Sequence, residues 1–228
     1  PAKKIVALVG GSGSGKTTTG LAVLRLLAPA LTVTQGKIIF EGRDLLELAP
    51  EEIGRVRGKE ISMIFQEPLY AFNPLFRIGK QIEEVLVYHT DLSQRQRQER
   101  ILELLNKAGI AEPKRVAESF PHQLSGGMRQ RAMIAQAIAA SPKLIIADEP
   151  TSNMDVTLQA RIMELFRKLK SEFGMTILLI THDLGVVAHL ADEVAVLSKG
   201  AVVESGNTKE VLSHPRHPFT RQLMEAFQ

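Results

Sequence analysis

The segment GGSGSGKT, Gly10 to Thr17, constrains this chain more than any other, because it directly follows the apolar run KIVALV (4–9) and opens a helical pattern. Glycines let a backbone curl until several N–H groups face one anion, and a helix N-terminus adds a favourable field. The pattern predicts a phosphate loop in which Gly10, Gly11, Ser12, Gly13, Ser14 and Gly15 wrap a phosphate chain. Lys16 then reaches the β- and γ-phosphates, the Thr17 hydroxyl completes magnesium coordination, and Thr18 follows at the helix start. The alternative is a glycine-rich turn that holds no ligand.

Further apolar, β-branched runs stand at 37–40 (KIIF), 61–65 (ISMIF), 143–147 (KLIIA) and 176–180 (TILLI), separated by helical patterns. Near-continuous apolar strands alternating with helices predict a buried parallel sheet in an α/β domain. Ligands bind at the carboxyl edge of such sheets. Three strand ends place polar groups there. Asp148 suits a magnesium ligand and Glu149 a general base that polarises the attacking water. His182 ends another strand within reach of a γ-phosphate, and Gln66 ends a third, where it could ligate magnesium.

The stretch EVAVLSKGAVVESG reads as two strands joined at Lys199-Gly200, a hairpin. From Ile78 to Ala140 no strand is evident. Ser93 with Gln96 forms a capping box, and Ile101, Leu104, Leu105 and Ala108 recur at helical spacing until Gly109. Within this helical insertion lies LSGGMRQR: Ser125, Gly126 and Gly127 start a helix that ends before Pro142, a second N-terminus able to hold an anion. The bland reading is a tight turn that lets two helices pack.

Composition closes other routes. The 228 residues include no cysteine, which excludes disulfides and cysteine-ligated metals. A net charge of +3 and 5% aromatic residues give no nucleic-acid footprint. No apolar run approaches a bilayer span, and the start lacks a signal-peptide layout.

In order, the phosphate loop, Gln66, LSGGM, ADEP, SNMD and THD resemble the nucleotide-binding domain of an ABC transporter, over Ile5 to about Phe227. FQEPLYAFNPLFRIGKQI, DVTLQA and HPRHPFTRQL resemble the ATP-binding subunits of oligopeptide, dipeptide and nickel importers. The resemblance implies a P-loop NTPase (RecA-like) three-layer core at 1–77 and 141–228, with a helical signature subdomain at 78–140 and a C-terminal β-hairpin. It implies ATP and Mg2+ as ligands, held in a head-to-tail dimer with a second ATP-binding subunit, identical or paralogous. There Ser125, Gly126, Gly127 and Asp155 serve the partner's nucleotide. It implies membrane permease subunits contacted through residues 66–80 and the helical insertion, an external solute-binding protein, and a peripheral place on the cytoplasmic face of the cell membrane. A soluble ABC ATPase with a repair, translation or scaffold role stays open; co-purifying membrane subunits would discriminate.

Departures from the family pattern stand in two places, the chain ends and SNMD. The adenine-stacking aromatic residue usually found upstream is absent, so the ends look trimmed or naturally short. SNMD replaces the usual Ser-Ala-Leu-Asp, with Asn153 of unknown role and Met154 keeping the volume of leucine. His214 and His217 in HPRHP are read as a proline-fixed turn and Gln94 to Arg100 as a solvated helix face.

Overall fold

The computed structural model describes residues 2–152 and 154–225, Leu69 and Tyr70 by backbone only. Asn153 and Phe227 therefore lie outside the described residues.

Strand β1 (Ile5–Val9) leads through the glycine loop into helix α1 (Lys16–Val23). The next strands are β2 (Ile39–Phe40), β3 (Arg43–Asp44) and, after α2 (Pro50–Val56), β4 (Ile61–Ile64). Five helices follow without an intervening strand: α3 (Pro68–Ala71), α4 (Ile78–His89), α5 (Gln94–Lys107), α6 (Pro113–Glu118) and α7 (Gly126–Ala137). Then come β5 (Leu144–Asp148), α8 (Val156–Phe173), β6 (Thr176–Ile180), α9 (Leu184–Leu190), β7 (Glu193–Ser198) and β8 (Ala201–Asn207). Helices α10 (Thr208–Ser213) and α11 (Pro218–Glu225) end the described chain.

The main sheet runs in the order β4-β5-β6-β1-β7-β8, with β8 alone antiparallel. Both of its faces are covered, which is why its strands read as unbroken apolar runs rather than alternating ones. Ile5, Ile145, Ile177 and Leu179 point into one cluster, together with Ile82, Leu86, Leu104, Leu105 and Ile134 of the helical segment and Phe166 of α8. Leu8, Ile146 and Ile180 point to the other face, against Leu24, Ile53 and Val56. Each fully buried Ile or Leu contributes on the order of 2 kcal/mol, so neither face of a strand can be exposed cheaply. The capping box forms as read, Gln96 Oε1 accepting from the Ser93 N–H at 2.8 Å.

One strand differs from the sequence expectation. KIIF is not part of the parallel sheet: only Ile39–Phe40 is extended, paired antiparallel with Arg43–Asp44 in a separate two-stranded ribbon. The cause is the adjacent turn, where Glu41 (φ 49°) and Gly42 (φ 79°) are both left-handed, the geometry that folds a chain straight back into a hairpin. The Lys199-Gly200 hairpin forms as expected, by the same two-residue device (φ 48° and 81°), and it extends the main sheet through β1–β7 pairing.

Asp192 ties the start of β1 to this sheet. Its Oδ2 accepts the Ile5 N–H at 2.7 Å, its backbone N–H donates to Ile5 O at 2.8 Å, and both carboxylate oxygens accept from Lys170 Nζ. No helix among the described residues is long and apolar enough to cross a membrane.

Candidate functional site

The phosphate loop is braced from behind by the β7–β8 hairpin. A side chain at Gly10 would bring its Cβ to 2.1 Å from Leu197 O, so only glycine lets the loop lie this close. The Gly200 N–H donates to Ser14 O at 3.1 Å from the hairpin tip. Gly13 (φ 72°) and Gly15 (φ 102°) supply the left-handed turns, and Ser12, Gly13, Thr17 and Thr18 remain exposed. Helix α1 reaches the sheet because a Cβ at Gly20 would meet Ile180 Cδ1 at 2.9 Å; this contact fixes where Lys16 and Thr17 sit.

Lys16 is 9% exposed and lies across its own loop, Nζ donating to Gly10 O at 2.8 Å and Gly11 O at 3.0 Å. Ser14 Oγ is buried without a hydrogen-bond partner. A buried lysine ammonium and an orphaned hydroxyl, set in a loop of left-handed glycines, fit an anion of several oxygens.

The carboxyl end of β5 faces α1. Thr17 Oγ1 donates to Asp148 Oδ1 at 3.2 Å, so the structure brings together two of the expected magnesium ligands. Asp148 is 2% exposed. Burial pushes its carboxyl above the ordinary value, the Thr17 hydrogen bond and Lys16 pull it back, and the Glu149 charge adds to the rise. Such a carboxylate gains from a cation, and a carboxylate beside a hydroxyl is the hard-oxygen donor set that magnesium takes. Gln66 lies just past β4, exposed, in a cleft of about 430 Å³ with Glu67, Gly126, Gly127 and Asp155. No hydrogen bond among the described residues joins it to Thr17 or Asp148.

Glu149 is twisted into the left-handed region (φ 47°) where β5 ends. Its N–H donates to Ile180 O at 2.8 Å, and its carbonyl accepts from Ser152 N at 3.1 Å and Ser152 Oγ at 2.9 Å. The turn carries its side chain to His182, with Nδ1 2.7 Å from Oε1. A carboxylate only accepts, so Nδ1 carries the proton of this bond. The glutamate side chain is 11% exposed and the histidine 70%, a shielded carboxylate beside an outward-facing ring.

The second anion turn splits into two kinds of residue. Ser125 Oγ accepts from the Met128 N–H at 3.3 Å and Asp155 Oδ1 from the Leu158 N–H at 2.9 Å, so both side chains cap their own helices. A Cβ at Gly126 would meet nothing within 4 Å, whereas one at Gly127 would lie 2.4 Å from Leu158 Cδ2. Gly127 thus does the packing that the bland reading offered, and Gly126 keeps its backbone open. Sequence reasoning missed two glutamine ties nearby: Gln130 Nε2 donates to Pro150 O at 2.9 Å, and Gln159 Nε2 to Asp183 Oδ2 at 2.9 Å. In HPRHP, Glu204 accepts the N–H groups of Arg216 and His217 at 2.9 and 3.0 Å, closing the turn around Pro215.

This geometry can be set beside known proteins. A family profile described as ABC transporter matches residues 1–152. The chain belongs to the ABC transporter family. It is 50% identical over 224 residues to "Peptidoglycan transport ATP-binding protein YejF" of Agrobacterium fabrum, covering 98% of this chain and 41% of that one. It is also 50% identical over 220 residues to "Oligopeptide transport ATP-binding protein OppD" of Bacillus subtilis, covering 96% of this chain and 62% of that one. The chain therefore spans about half the length of these relatives. Among solved structures, the ATP-binding cassette MJ0796, a dimer in a post-hydrolysis state bound to ADP and Pi, superposes with TM-score 0.80 at 31% identity, covering 91% of this chain and 87% of that one. The cassette cbiO1 of Clostridium perfringens, part of the ABC transporter complex cbiONQ, does so with TM-score 0.80 at 28% identity, covering 98% and 88%. The fold is that of an ABC ATPase cassette.

Proposed function

We propose that this chain is the ATP-hydrolysing unit of an ABC importer for peptides or a related solute. The observation that carries the reading is the pair of contacts Thr17–Asp148 and Glu149–His182, which set a hard-oxygen cation site and a shielded base on one sheet edge beside the phosphate loop. The peptide assignment is supported by the names of the OppD relatives and stays at the level of a solute class.

In this reading the loop amides and Lys16 neutralise the phosphates, and Lys16 exchanges its carbonyl partners for phosphate oxygens. Magnesium, held by Asp148, Thr17 and Gln66, would supply charge neutralisation at the phosphate oxygens. Glu149 takes a proton from water as its oxygen bonds to the γ-phosphorus; the bond to the bridging oxygen breaks and ADP leaves with that electron pair. His182 holds Glu149 through Nδ1 and turns its other nitrogen toward the transferring group. Residues 78–140 act as the signature subdomain and 1–77 with 141–228 as the ATP-binding core. A second ATP-binding subunit completes each site, its Gly126 N–H facing the γ-phosphate. The pair works through membrane permease subunits at the cytoplasmic face, fed by an external solute-binding protein.

The test is Glu149→Gln, followed by ATP turnover and by light scattering on a sizing column with and without magnesium-ATP. The variant should bind ATP, hydrolyse it at least about 100-fold more slowly, and shift from monomer to dimer when ATP is added. Steady turnover near that of the wild type would overturn the base assignment. A nucleotide-bound variant that stays monomeric would argue for a paralogous partner.

A further inference from the structure

The first turn of α8 carries a link that the phosphate chemistry above leaves unused. This end of the helix faces outward: Asp155 caps it while exposed, and Val156 is 81% exposed. One turn in, the Gln159 amide donates to Asp183 Oδ2 at 2.9 Å, joining residues 24 apart in the chain. The other oxygen of Asp183 accepts from the Val186 N–H at 3.1 Å and caps α9. The Asp183 N–H donates in turn to Oγ1 of Thr181, which is 1% exposed. Both neighbours of His182 are thereby fixed, and on the Asp183 side the fixing runs to α8 through one amide. Directly beside Gln159, Leu158 packs against Gly127 with no room for a methyl group between them. One helical turn therefore packs against the Gly126–Gly127 turn at Leu158 and holds the histidine loop at the next residue, Gln159.

We infer that Gln159 is a positioning residue, which transmits the placement of the partner-facing turn of α8 to His182 and so sets the His182–Glu149 contact. The inference rests on the ATPase reading above. Gln159 touches neither nucleotide nor attacking water; it acts through Asp183. When the first turn of α8 is displaced by pressure on Asp155, Val156 or the Gly126–Gly127 turn, the amide carries Asp183 with it, and the 2.7 Å bond between His182 and Glu149 lengthens or closes. A rigid pair of packed elements joined by a directional hydrogen bond passes on such a shift, whereas an apolar contact would let it slide.

The test compares wild type, Gln159→Leu, Gln159→Glu and the double variant Gln159→Glu/Asp183→Asn. In the double variant the bond is reversed: the new amide donates to the new carboxylate, while its carbonyl oxygen can still cap α9. Gln159→Leu should lower kcat for ATP about tenfold with KM within about twofold, because the nucleotide contacts lie on the phosphate loop. Gln159→Glu should fall further, since two carboxylates then meet. The double variant should recover kcat to within about threefold of wild type. Turnover of Gln159→Leu within about twofold of wild type would overturn the inference. So would a double variant that melts like wild type yet stays slow, or losses of kcat that merely follow a falling melting temperature. A wild-type turnover indifferent to Glu149→Gln would sink the site reading and this inference with it. Turnover sensitive to Glu149→Gln but not to Gln159→Leu would sink this inference alone.

Discussion

Replacing Gly127 and Gly126 with alanine, one at a time, should separate packing from anion contact within a single turn. At Gly127 the added Cβ would stand 2.4 Å from Leu158 Cδ2, 2.9 Å from Cδ1 and 3.3 Å from Cγ. Carbon atoms settle at about 3.5–4.0 Å, so the tip of Leu158 must retreat by more than about 1 Å. Overpacking of this kind costs about 1–3 kcal/mol. Against it stands the helix preference of alanine over glycine, worth at most about 1 kcal/mol here. The net is a loss of about 1 kcal/mol, which for a chain of this size lowers the melting temperature by roughly 2–4 °C. At Gly126 no atom lies within 4 Å of the new methyl, so stability should hold or rise slightly, while on the proposed reading the methyl crowds the face that would meet a partner's phosphate. Thermal melts of both variants, with light scattering in magnesium-ATP on a Glu149→Gln background, read the two effects apart. The expected result is a lower melting temperature for Gly127→Ala and a normal one, with weakened dimerisation, for Gly126→Ala. A Gly127→Ala chain that melts at or above Gly126→Ala would refute the division of labour.

Two other perturbations test the framework around the site. Gln130→Leu leaves the buried carbonyl of Pro150 without its 2.9 Å donor, which should cost about 1–3 kcal/mol in urea unfolding; a midpoint equal to wild type would mean that another donor replaces it. Burial tends to raise the Asp192 carboxyl, yet the Lys170 hydrogen bond, the Ile5 N–H and the Lys170 and Lys4 charges hold it below its ordinary value. Its contribution is therefore fully present above the unfolded carboxylate pKa of about 3.9 and is lost as pH falls through the lower folded value. The stability gap between wild type and Asp192→Asn should be constant near neutrality and shrink below about pH 4; a gap that stays flat in acid would show that the ionised form is not what Lys170 and Ile5 hold.

What could be read from the sequence was what is local. Apolar runs at β1, β4, β5 and β6 mark strands buried on both faces, and the polar residues just past β4, β5 and β6 mark the edge where a ligand is expected to meet the sheet. The glycine loop was legible because its chemistry lies in consecutive residues. KIIF misled because a run of three apolar residues does not say which sheet it joins, and Arg43-Asp44, its partner, carries no strand preference. The signal was the Glu41-Gly42 pair after it. Residues such as Gln130 and Gln159 were invisible for another reason. A glutamine on a helix carries no periodic mark, and its partners lie 20 and 24 residues away, across a fold that must exist before the bond can. Gly126 and Gly127 look alike in sequence; only the position of Leu158 tells them apart.

The place of β1 between β6 and β7 has a consequence for synthesis. The strand that leads into the phosphate loop is made long before the strands it pairs with, since Ile5 pairs with Ile177 and Val6 with Glu193, 172 and 187 residues further along the chain. At about 5–20 residues per second, the loop leaves the ribosome roughly 10–35 s before the neighbours that brace it. Until then its apolar strand has both edges unpaired. Nucleotide, by gathering the loop, then rewards a sheet whose later strands are already in place rather than serving as a template for an early one.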